Sequence, residues 1–309
     1  MNKITIVGAG RVGESTAQFI AAKNLSREIV LLDIHKGAAQ GAALDIQEVS
    51  PLFCYDTRLI GGVDHRLMAD SEIIIITAGL PRKPGMSRSD VLASNIPIMD
   101  SVIDGAMQYA PDAILLFVTN PVDVITYFAF NKTGWPRNRI FGQAGVLDSS
   151  RMASFIAMET GFSSMDIDTM VLGGHGDTMV PMLRYCTISG IPVKHFIEKD
   201  KLDAIVERTR VGGAEILGLR QISSAYDAPA ASVAEMVDAI AHNRHRILPT
   251  VCLLDGEYGQ HDIAIGVPAV LGQSGMESII ELEMNADEQA MFNHSAELVR
   301  KDLAMLKTM

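Results

Sequence analysis

The sequence has few of the residues that mark a metal-binding or secreted protein. It has three cysteines among 309 residues, Cys54, Cys186 and Cys252, and none of them forms a CxxC pair. An odd number at wide spacing favours buried free thiols over a disulfide framework, and it predicts no metal site. Free thiols fit a reducing compartment, so we expect a cytoplasmic protein.

Long apolar runs and an excess of basic residues are also absent. The longest apolar runs, such as IIIITA at 73–78, are far shorter than the roughly 20 residues that span a membrane. No basic region precedes a long apolar run near the N-terminus, so we expect no signal peptide. The formal net charge is −11, which argues against nucleic acid as a partner. We therefore expect neither membrane nor nucleic acid to be bound.

The first half of the chain alternates between strand-like and helix-like segments. Four apolar runs have the length of strands, at 3–8, 28–33, 72–78 and 114–119. Helical patterns follow them, at 11–24, 37–49, 90–108 and 122–132. Uninterrupted apolar strands separated by helices are typical of a parallel sheet that is covered on both faces. The pattern predicts an α/β fold with a Rossmann-type doubly wound parallel sheet over residues 1–145.

The pattern changes in the second half, where short strand-like pieces mix with long helices. The strand-like pieces lie at 166–173, 181–188 and 192–197, with an antiparallel region at 247–271. The helical stretches lie at 148–160, 200–219, 228–243 and 286–307. This mixture predicts an α+β domain over residues 146–309, which would hold the substrate against the first domain.

A glycine motif follows the first predicted strand. GAGRVG at 8–13 fits G-x-G-x-x-G and opens a predicted helix, so its backbone can approach a pyrophosphate at the helix N-terminus. Asp33 ends the second strand, where a carboxylate accepts hydrogen bonds from a ribose diol and repels a 2′-phosphate. The motif therefore predicts NAD, although Asp33 could instead be an ordinary turn residue.

Three residues of the second half have the chemistry of an acid–base centre. His175 lies between glycines in LGGHGDTMVP, and GVLDSSR places Asp148 and Arg151 on one helix face. A carboxylate beside an imidazole fixes its tautomer and stabilises its protonated form, and an arginine binds a carboxylate through two hydrogen bonds. A structural role for His175 and helix capping by Asp148 are the alternatives.

Two further segments follow strands at the edge where such sheets bind ligands. Asn120 in VTNPVD can donate a hydrogen bond to a substrate oxygen, or it can be a simple turn residue.

PRKPGMSR at 81–88 gathers Arg82, Lys83 and Arg88 in an acidic chain, and its prolines and glycine oppose regular structure. We interpret it as a loop that brings cations to an anionic substrate, the alternative being a solvated basic loop. No role follows for Lys83.

Six motifs together identify a family. GAGRVG, LLD, TAGLPRKPGMSR, TNPVD, GVLDSSR and GGHGDTMVP occur in this order, and they cover nearly the whole chain. The sequence resembles the lactate/malate dehydrogenase family, and within it the NAD-dependent malate dehydrogenases of the lactate-dehydrogenase-like type. The resemblance implies reversible hydride transfer between (S)-malate and NAD, giving oxaloacetate and NADH in the tricarboxylic acid cycle. It also implies a homodimer or homotetramer.

The resemblance further implies residue roles. His175 is the proton donor and acceptor, Asp148 orients it, and Arg151 binds the carboxylate next to the reacting carbon. Arg88 polarises the carbonyl, and Arg82 binds the second carboxylate of the substrate. Cofactor contacts are expected at Gly8, Gly10, Arg11, Val12, Gly13, Asp33, Asn95, Val118 and Asn120, of which Asn120 also contacts substrate.

One segment departs from the family pattern, and three other functions compete with the implied one. Many members have Gly-Ser-Ala-Tyr-Tyr where this chain has SSAYD at 223–227, which changes one wall of the pocket. The nearest competing function is that of a lactate dehydrogenase or another 2-hydroxy-acid dehydrogenase. An NAD-dependent glycosidase would need metal ligands, for which the sequence has no Cys/His grouping. A catalytically dead NAD-binding regulator would be expected to lack part of the His175, Asp148 and Arg151 set.

Overall fold

A computed structural model describes residues 1–80 and 88–306, with only the main chain of Arg88. Arg82, Lys83 and the side chain of Arg88 therefore lie outside the described residues. Six parallel strands form the first part of the chain: β1 (Lys3–Val7), β2 (Glu28–Leu32), β3 (Arg58–Gly62), β4 (Ile73–Ile76), β5 (Ile114–Phe117) and β6 (Ile140–Gln143). Four helices connect them: α1 (Arg11–Ala22), α2 (Lys36–Phe53), α3 (Arg88–Tyr109) and α4 (Val122–Thr133).

The parallel strands lie in the order β3-β2-β1-β4-β5-β6. The chain therefore adds β2 and β3 on one side of β1, and then adds β4, β5 and β6 on the other side. Ligands of such sheets bind beyond the carboxyl ends of the strands at this reversal. The predicted fold class is confirmed, and the glycine motif lies at this point because it directly follows β1.

The second part contains three helices and five short strands before the chain returns to the large sheet. The helices are α5 (Gly145–Thr160), α6 (Lys199–Arg220) and α7 (Asp227–Ala241). The strands are β7 (Ile167–Asp168), β8 (Val171–Leu172), β9 (Val180–Pro181), β10 (Thr187–Ile188) and β11 (Ile191–Pro192). They form two small antiparallel sheets, and the loop with His175 connects β8 to β9.

The predicted antiparallel region extends the large sheet. It consists of β12 (Arg246–Asp255), β13 (His261–Gly272) and β14 (Gly275–Ile279), and α8 (Ala286–Leu306) follows. β12 pairs antiparallel with β6, so all nine of these strands form one sheet. A main-chain pair between Gly173 and Gly266 then fixes the start of the His175 loop to β13, with N–O distances of 2.9 and 3.2 Å.

The core follows from the central strands. Ile73, Ile74, Ile75 and Ile76 of β4 are completely buried, and alternate side chains enter the two hydrophobic layers on opposite faces of the sheet. Burial of such a side chain contributes roughly 1.5–3 kcal/mol, which explains why β4 has no polar position. Two-sided burial was the basis of the strand prediction, and it holds the strand ends at the ligand-binding edge in place.

The cysteine prediction is wrong at one position. Cys186 and Cys252 are buried thiols, but Cys54 is exposed, because it follows the last turn of α2 in a left-handed conformation. No group of three His, Cys, Asp or Glu within the described ranges is placed to hold a metal ion. None of the helices described here combines the length and apolar character that crossing a bilayer requires.

Candidate active site

The glycine loop between β1 and α1 is shaped by two steric contacts and one open position. Gly8 has φ +106°, and a Cβ atom there would lie 2.6 Å from the Ala78 nitrogen. A Cβ atom on Gly13 would lie 1.8 Å from the Gly8 oxygen, so α1 and the loop pack with no room for a side chain. At Gly10 a Cβ atom would meet nothing within 4 Å. The loop is therefore closely packed on its inner side and open at Gly10, where a pyrophosphate can approach the start of α1.

Asp33 joins this loop to the end of β2. Its Oδ2 accepts the Ala9 N–H at 2.8 Å, and its Oδ1 accepts the His35 N–H at 2.9 Å. These bonds hold the partly exposed carboxylate beside the glycine loop, so the same group supports the turn and can reach a ligand along the carboxyl ends of the strands, a region called the groove below. The turn role and the predicted ribose role of Asp33 are therefore compatible.

The ends of β4 and β5 continue the groove beyond β1. The Ala78 N–H donates to the Val7 oxygen at 2.7 Å, and the Thr119 hydroxyl donates to the Ala78 oxygen at 2.6 Å. Val118 and Asn120 follow β5 at this edge, where Val118 is partly exposed and Asn120 is exposed. Val118 and Asn120, which were both predicted to contact the cofactor, therefore lie at the carboxyl end of a central strand.

Asn95 was predicted to contact the cofactor, and the structure gives its side chain other partners. It lies on α3 and is 1% exposed. Its Oδ1 accepts the Leu80 N–H at 2.7 Å, and its Nδ2 donates to the oxygens of Asn120 at 3.0 Å and Leu80 at 3.4 Å. Asn95 therefore ties the strand ends of β4 and β5 together, which shapes the groove from behind.

His175 and Asp148 form a hydrogen-bonded pair. The Nδ1 atom of His175 lies 2.9 Å from the Oδ2 atom of Asp148, whose side chain is 2% exposed. Burial of the imidazole lowers the pKa of His175, but the charge and hydrogen bond of Asp148 outweigh it, so the pKa is raised above its ordinary value. With Nδ1 engaged, the Nε2 atom is left to exchange a proton with a ligand, as a general acid or base requires.

The alternative role of Asp148 as a helix cap is wrong. α5 begins at Gly145, three residues before the predicted start, and its N-cap position is Ala144. Asp148 therefore lies one turn inside the helix, where it points toward His175 and contributes nothing to capping. A Cβ atom on Gly145 would lie 2.7 Å from Pro249, so close packing against β12 sets where this helix begins.

Arg151 lies one turn further along α5. Its Nη1 atom is 3.4 Å from the Oδ1 atom of Asp148, and its Nε has no hydrogen-bond partner among the described residues. Burial lowers the pKa of Arg151, which the Asp148 charge partly offsets. Cβ atoms on Gly212 and Gly213 of α6 would lie 3.3 and 3.7 Å from its side chain, so α6 leaves room for the guanidinium. A buried cation with unused donors is a site for a carboxylate ligand.

Sequence reasoning missed a second carboxylate beside His175. Asp123, in the first turn of α4, accepts the His175 N–H on its Oδ2 at 3.3 Å. It lies in the VTNPVD motif, where only Asn120 was given a role. An acidic residue between apolar neighbours at the start of a buried helix was the signal that could have identified it.

The SSAYD segment carries an aromatic contact to the glycine loop. The Tyr226 ring lies under the guanidinium of Arg220 at 4.2 Å and of Arg11 at 5.4 Å. Asp227 of the same segment is 3.4 Å from the Arg220 Nη2 atom. The segment thus carries an ion pair beside the ring, and Tyr226 connects it to the start of α1.

Comparison with known proteins gave consistent matches over the whole chain. A family model described as lactate/malate dehydrogenase, NAD binding domain, matches residues 2–142, and one for the alpha/beta C-terminal domain matches residues 145–308. The chain is 64% identical over 307 residues to a malate dehydrogenase from Thioalkalivibrio sulfidiphilus, covering 99% of this chain and 100% of the relative. It is 53% identical to a malate dehydrogenase from Pseudomonas putida over the full length of both.

Solved structures agree with these matches. The malate dehydrogenase from Salinibacter ruber has a TM-score of 0.95 and 44% identity, covering 99% of this chain and 98% of that one. A lactate dehydrogenase from Cryptosporidium parvum, solved with lactic acid and nicotinamide adenine dinucleotide, has a TM-score of 0.96 and 34% identity, covering 100% and 98%. The fold is thus shared by proteins of both names, so it does not separate the two substrates.

Proposed function

The chain belongs to the lactate/malate dehydrogenase family, and from this premise we propose that it is an NAD-dependent malate dehydrogenase. It catalyses reversible hydride transfer between (S)-malate and NAD to give oxaloacetate and NADH. The observation that carries the proposal is the His175–Asp148 pair with Arg151 beside it. The names of the full-length relatives support malate over lactate.

The proton chemistry resides on His175. In malate oxidation, neutral His175 takes the hydroxyl proton on Nε2, and the Asp148 carboxylate stabilises the imidazolium that forms. In oxaloacetate reduction, the imidazolium returns this proton. NAD, when bound, supplies the hydride acceptor. Gly8, Gly10, Arg11, Val12 and Gly13 would hold its pyrophosphate. The groove also includes Asp33, Val118 and Asn120, and Asn95 supports it from behind.

The substrate is a dicarboxylate in this proposal. Arg151 binds the carboxylate next to the reacting carbon, since it is buried with donors unused by the described residues. Arg88 polarises the carbonyl and Arg82 binds the second carboxylate, as the resemblance of TAGLPRKPGMSR implies. Asn120 donates to a substrate oxygen from the end of β5.

A spectrophotometric assay tests the proposal. NADH oxidation is measured with oxaloacetate, with pyruvate and without substrate. We expect oxaloacetate to be reduced with by far the higher kcat/KM. A preference for pyruvate would make the protein a lactate dehydrogenase, and NADH binding without turnover of either substrate would make it a regulator.

The setting of the enzyme completes the proposal. We infer that it works in the tricarboxylic acid cycle in the cytoplasm, as a homodimer or homotetramer. Exposed apolar side chains on α2 support an oligomer, among them Leu52 at 80% and Phe53 at 61% exposure. α5 and α6 are further candidate contact surfaces. Light scattering of the purified protein distinguishes monomer, dimer and tetramer.

A further inference from the structure

Asp123 contacts the catalytic histidine from the opposite half of the chain. It lies three residues after Asn120, in the first turn of α4, and its Oδ2 accepts the His175 N–H at 3.3 Å. Asp148 holds the imidazole ring, whereas Asp123 holds the main chain of the same residue. Asp148 of α5 therefore fixes the side chain of His175, and Asp123 of α4 fixes its main chain.

Burial of the Asp123 carboxylate has a free-energy cost that a simple anchor for the His175 main chain would not require. The residue is 7% exposed, and its Oδ1 has no hydrogen-bond partner among the described residues. An unsatisfied buried oxygen costs roughly 1–3 kcal/mol, and more when it is charged. A neutral amide would accept the same N–H without burying a charge, so the tether alone does not account for a carboxylate here.

The charge of Asp123 affects the pKa of the His175 imidazole. Burial raises the pKa of Asp123 to about 6, so the group is ionised over most of the neutral range. The negative charge of Asp123 in turn raises the pKa of His175, in addition to the larger effect of Asp148. An imidazolium formed during malate oxidation would thus face two carboxylates.

The other groups around His175 do not replace this charge. The charged groups with the largest effects on the pKa of His175 are Asp148 and Arg151 of α5 and Asp123 of α4. Arg151 lowers the pKa of His175, so it opposes both carboxylates. From α8, the Ser295 hydroxyl accepts the Gly174 N–H of this loop at 2.8 Å, and the uncharged side chain of Val299 lies near Gly174. His175 and Asp148 are the charged groups that face Asp123.

We propose that Asp123 is a positioning residue of the reaction, which anchors the His175 main chain to α4 and stabilises the imidazolium together with Asp148. This inference rests on the proposed function, in which His175 exchanges the substrate proton. The two parts of the role are separable by substitution. Asp123→Asn keeps an acceptor for the His175 N–H and removes the charge, whereas Asp123→Ala removes both.

The experiment measures the titration of His175 directly and through turnover. Imidazole NMR signals of the full-length protein are followed against pH in wild type, Asp123→Asn and Asp123→Ala, with His175→Asn identifying the signal. In parallel, kcat/KM for oxaloacetate is measured against pH, and NADH affinity is measured by fluorescence. Asp200→Asn is the matched control, because Asp200 also lies in the first turn of a helix but is exposed.

The expected result has two parts. In Asp123→Asn, the pKa of His175 falls, and oxaloacetate reduction is lost at a correspondingly lower pH, because it needs the imidazolium. NADH affinity remains near wild type, and the acid-side plateau falls less than in Asp123→Ala. Asp123→Ala shows the same pKa change, and its plateau also falls on the order of 10- to 100-fold, because the ring is displaced. Asp200→Asn titrates as wild type.

Two results would overturn the inference. A His175 titration in Asp123→Asn that coincides with wild type shows that the charge has no effect on the imidazole. A folded Asp123→Ala variant with a wild-type plateau shows that the tether positions nothing. If Asp123→Ala does not fold, the Asp123→Asn titration decides. Absence of oxaloacetate turnover in wild type refutes the proposed function instead, and the NMR titration still reports on Asp123.

Discussion

The Nδ1 atom of His175 lies 2.9 Å from the Oδ2 atom of Asp148, which is almost completely buried. The two residues are 27 positions apart in the chain, and they come from a loop and a helix that pack independently on β13 and β12. Such a pair fixes the tautomer of the ring and leaves its second nitrogen for the substrate. The first two predictions follow from this geometry.

Replacement of His175 by asparagine should abolish turnover and leave NADH binding near normal. The glycine loop and Asp33 form the cofactor groove without the imidazole, so affinity for NADH does not depend on it. Fluorescence titration with NADH and the oxaloacetate assay measure the two effects. A variant that keeps more than about a tenth of wild-type turnover would contradict the role of His175, since general acid–base catalysis typically contributes roughly 100- to 10,000-fold.

Asp148→Asn should lower turnover and move the pH profile of reduction toward acid. Asp148 raises the pKa of His175, so its removal lowers that pKa. Reduction of oxaloacetate needs the imidazolium and is lost as pH rises through this pKa, so the loss moves to lower pH. Malate oxidation needs the neutral ring and should stay active at lower pH than in wild type. Profiles of kcat/KM in both directions check this. A shift to lower pH of the alkaline limb of reduction and of the acid limb of oxidation would support it, whereas unchanged profiles would refute it.

Asp33 should set the choice between NAD and NADP. Asp33→Ser removes a carboxylate that accepts from a ribose diol and repels a 2′-phosphate, so the ratio of kcat/KM for the two cofactors should narrow. Asp33→Asn is the matched variant, because it keeps an acceptor for the Ala9 N–H and removes the charge. If neither variant changes the ratio, the ribose is recognised elsewhere.

Two glycines of the same loop should respond differently to a methyl group. Gly13→Ala places Cβ 1.8 Å from the Gly8 oxygen, so unfolding free energy should fall by about 1–3 kcal/mol or more. Gly10→Ala meets no atom within 4 Å, so stability should hold while NADH affinity falls, because the methyl group enters the space proposed for the pyrophosphate. Gly218→Ala on α6, also without contacts, is the control for both measurements. Equal melting temperatures for Gly13→Ala and wild type would contradict the steric argument.

The sequence predicted the parts of the fold that are locally marked. β4 was predicted because four isoleucines in a row are typical of a strand that is buried on both faces. β3 was not predicted, because RLIGG is partly exposed and ends in two glycines. Gly61 is required by α2, since a Cβ atom there would lie 2.2 Å from the Ala39 oxygen. That contact is set by packing across the βαβ unit, and no local pattern reveals it.

The candidate site also contains features that a local sequence pattern predicts and features that depend on packing. The family model over residues 2–142 confirms the NAD prediction that began from GAGRVG and Asp33. The proximity of His175 to Asp148 was expected from their chemistry, and the structure brings them together. The contact of Asp123 with the His175 main chain spans 52 positions and was not predicted, because it depends on how α4 meets the β8–β9 loop. The domain boundary at 145 and 146 and the individual site roles stay predictions.

The last prediction concerns the basic segment, whose Arg82 lies outside the described residues. Arg82→Gln should turn the enzyme away from oxaloacetate, because in the proposed function Arg82 binds the carboxylate that pyruvate lacks. Loss of one partner of a desolvated, hydrogen-bonded charge pair costs roughly 2–5 kcal/mol. At about 1.4 kcal/mol per tenfold, kcat/KM for oxaloacetate should fall on the order of 30- to 3000-fold.

Pyruvate separates this specificity role from a general one. Its kcat/KM should rise or stay level in Arg82→Gln, because glutamine leaves no unmatched charge beside the methyl group. Arg88→Gln is the matched control, since the carbonyl that Arg88 is proposed to polarise is common to both substrates and both should be slowed alike. Values of kcat/KM for the two variants with the two substrates decide the matter. If Arg82→Gln slows oxaloacetate and pyruvate equally, Arg82 does not distinguish a dicarboxylate from a monocarboxylate, and selection for malate must come from another part of the pocket.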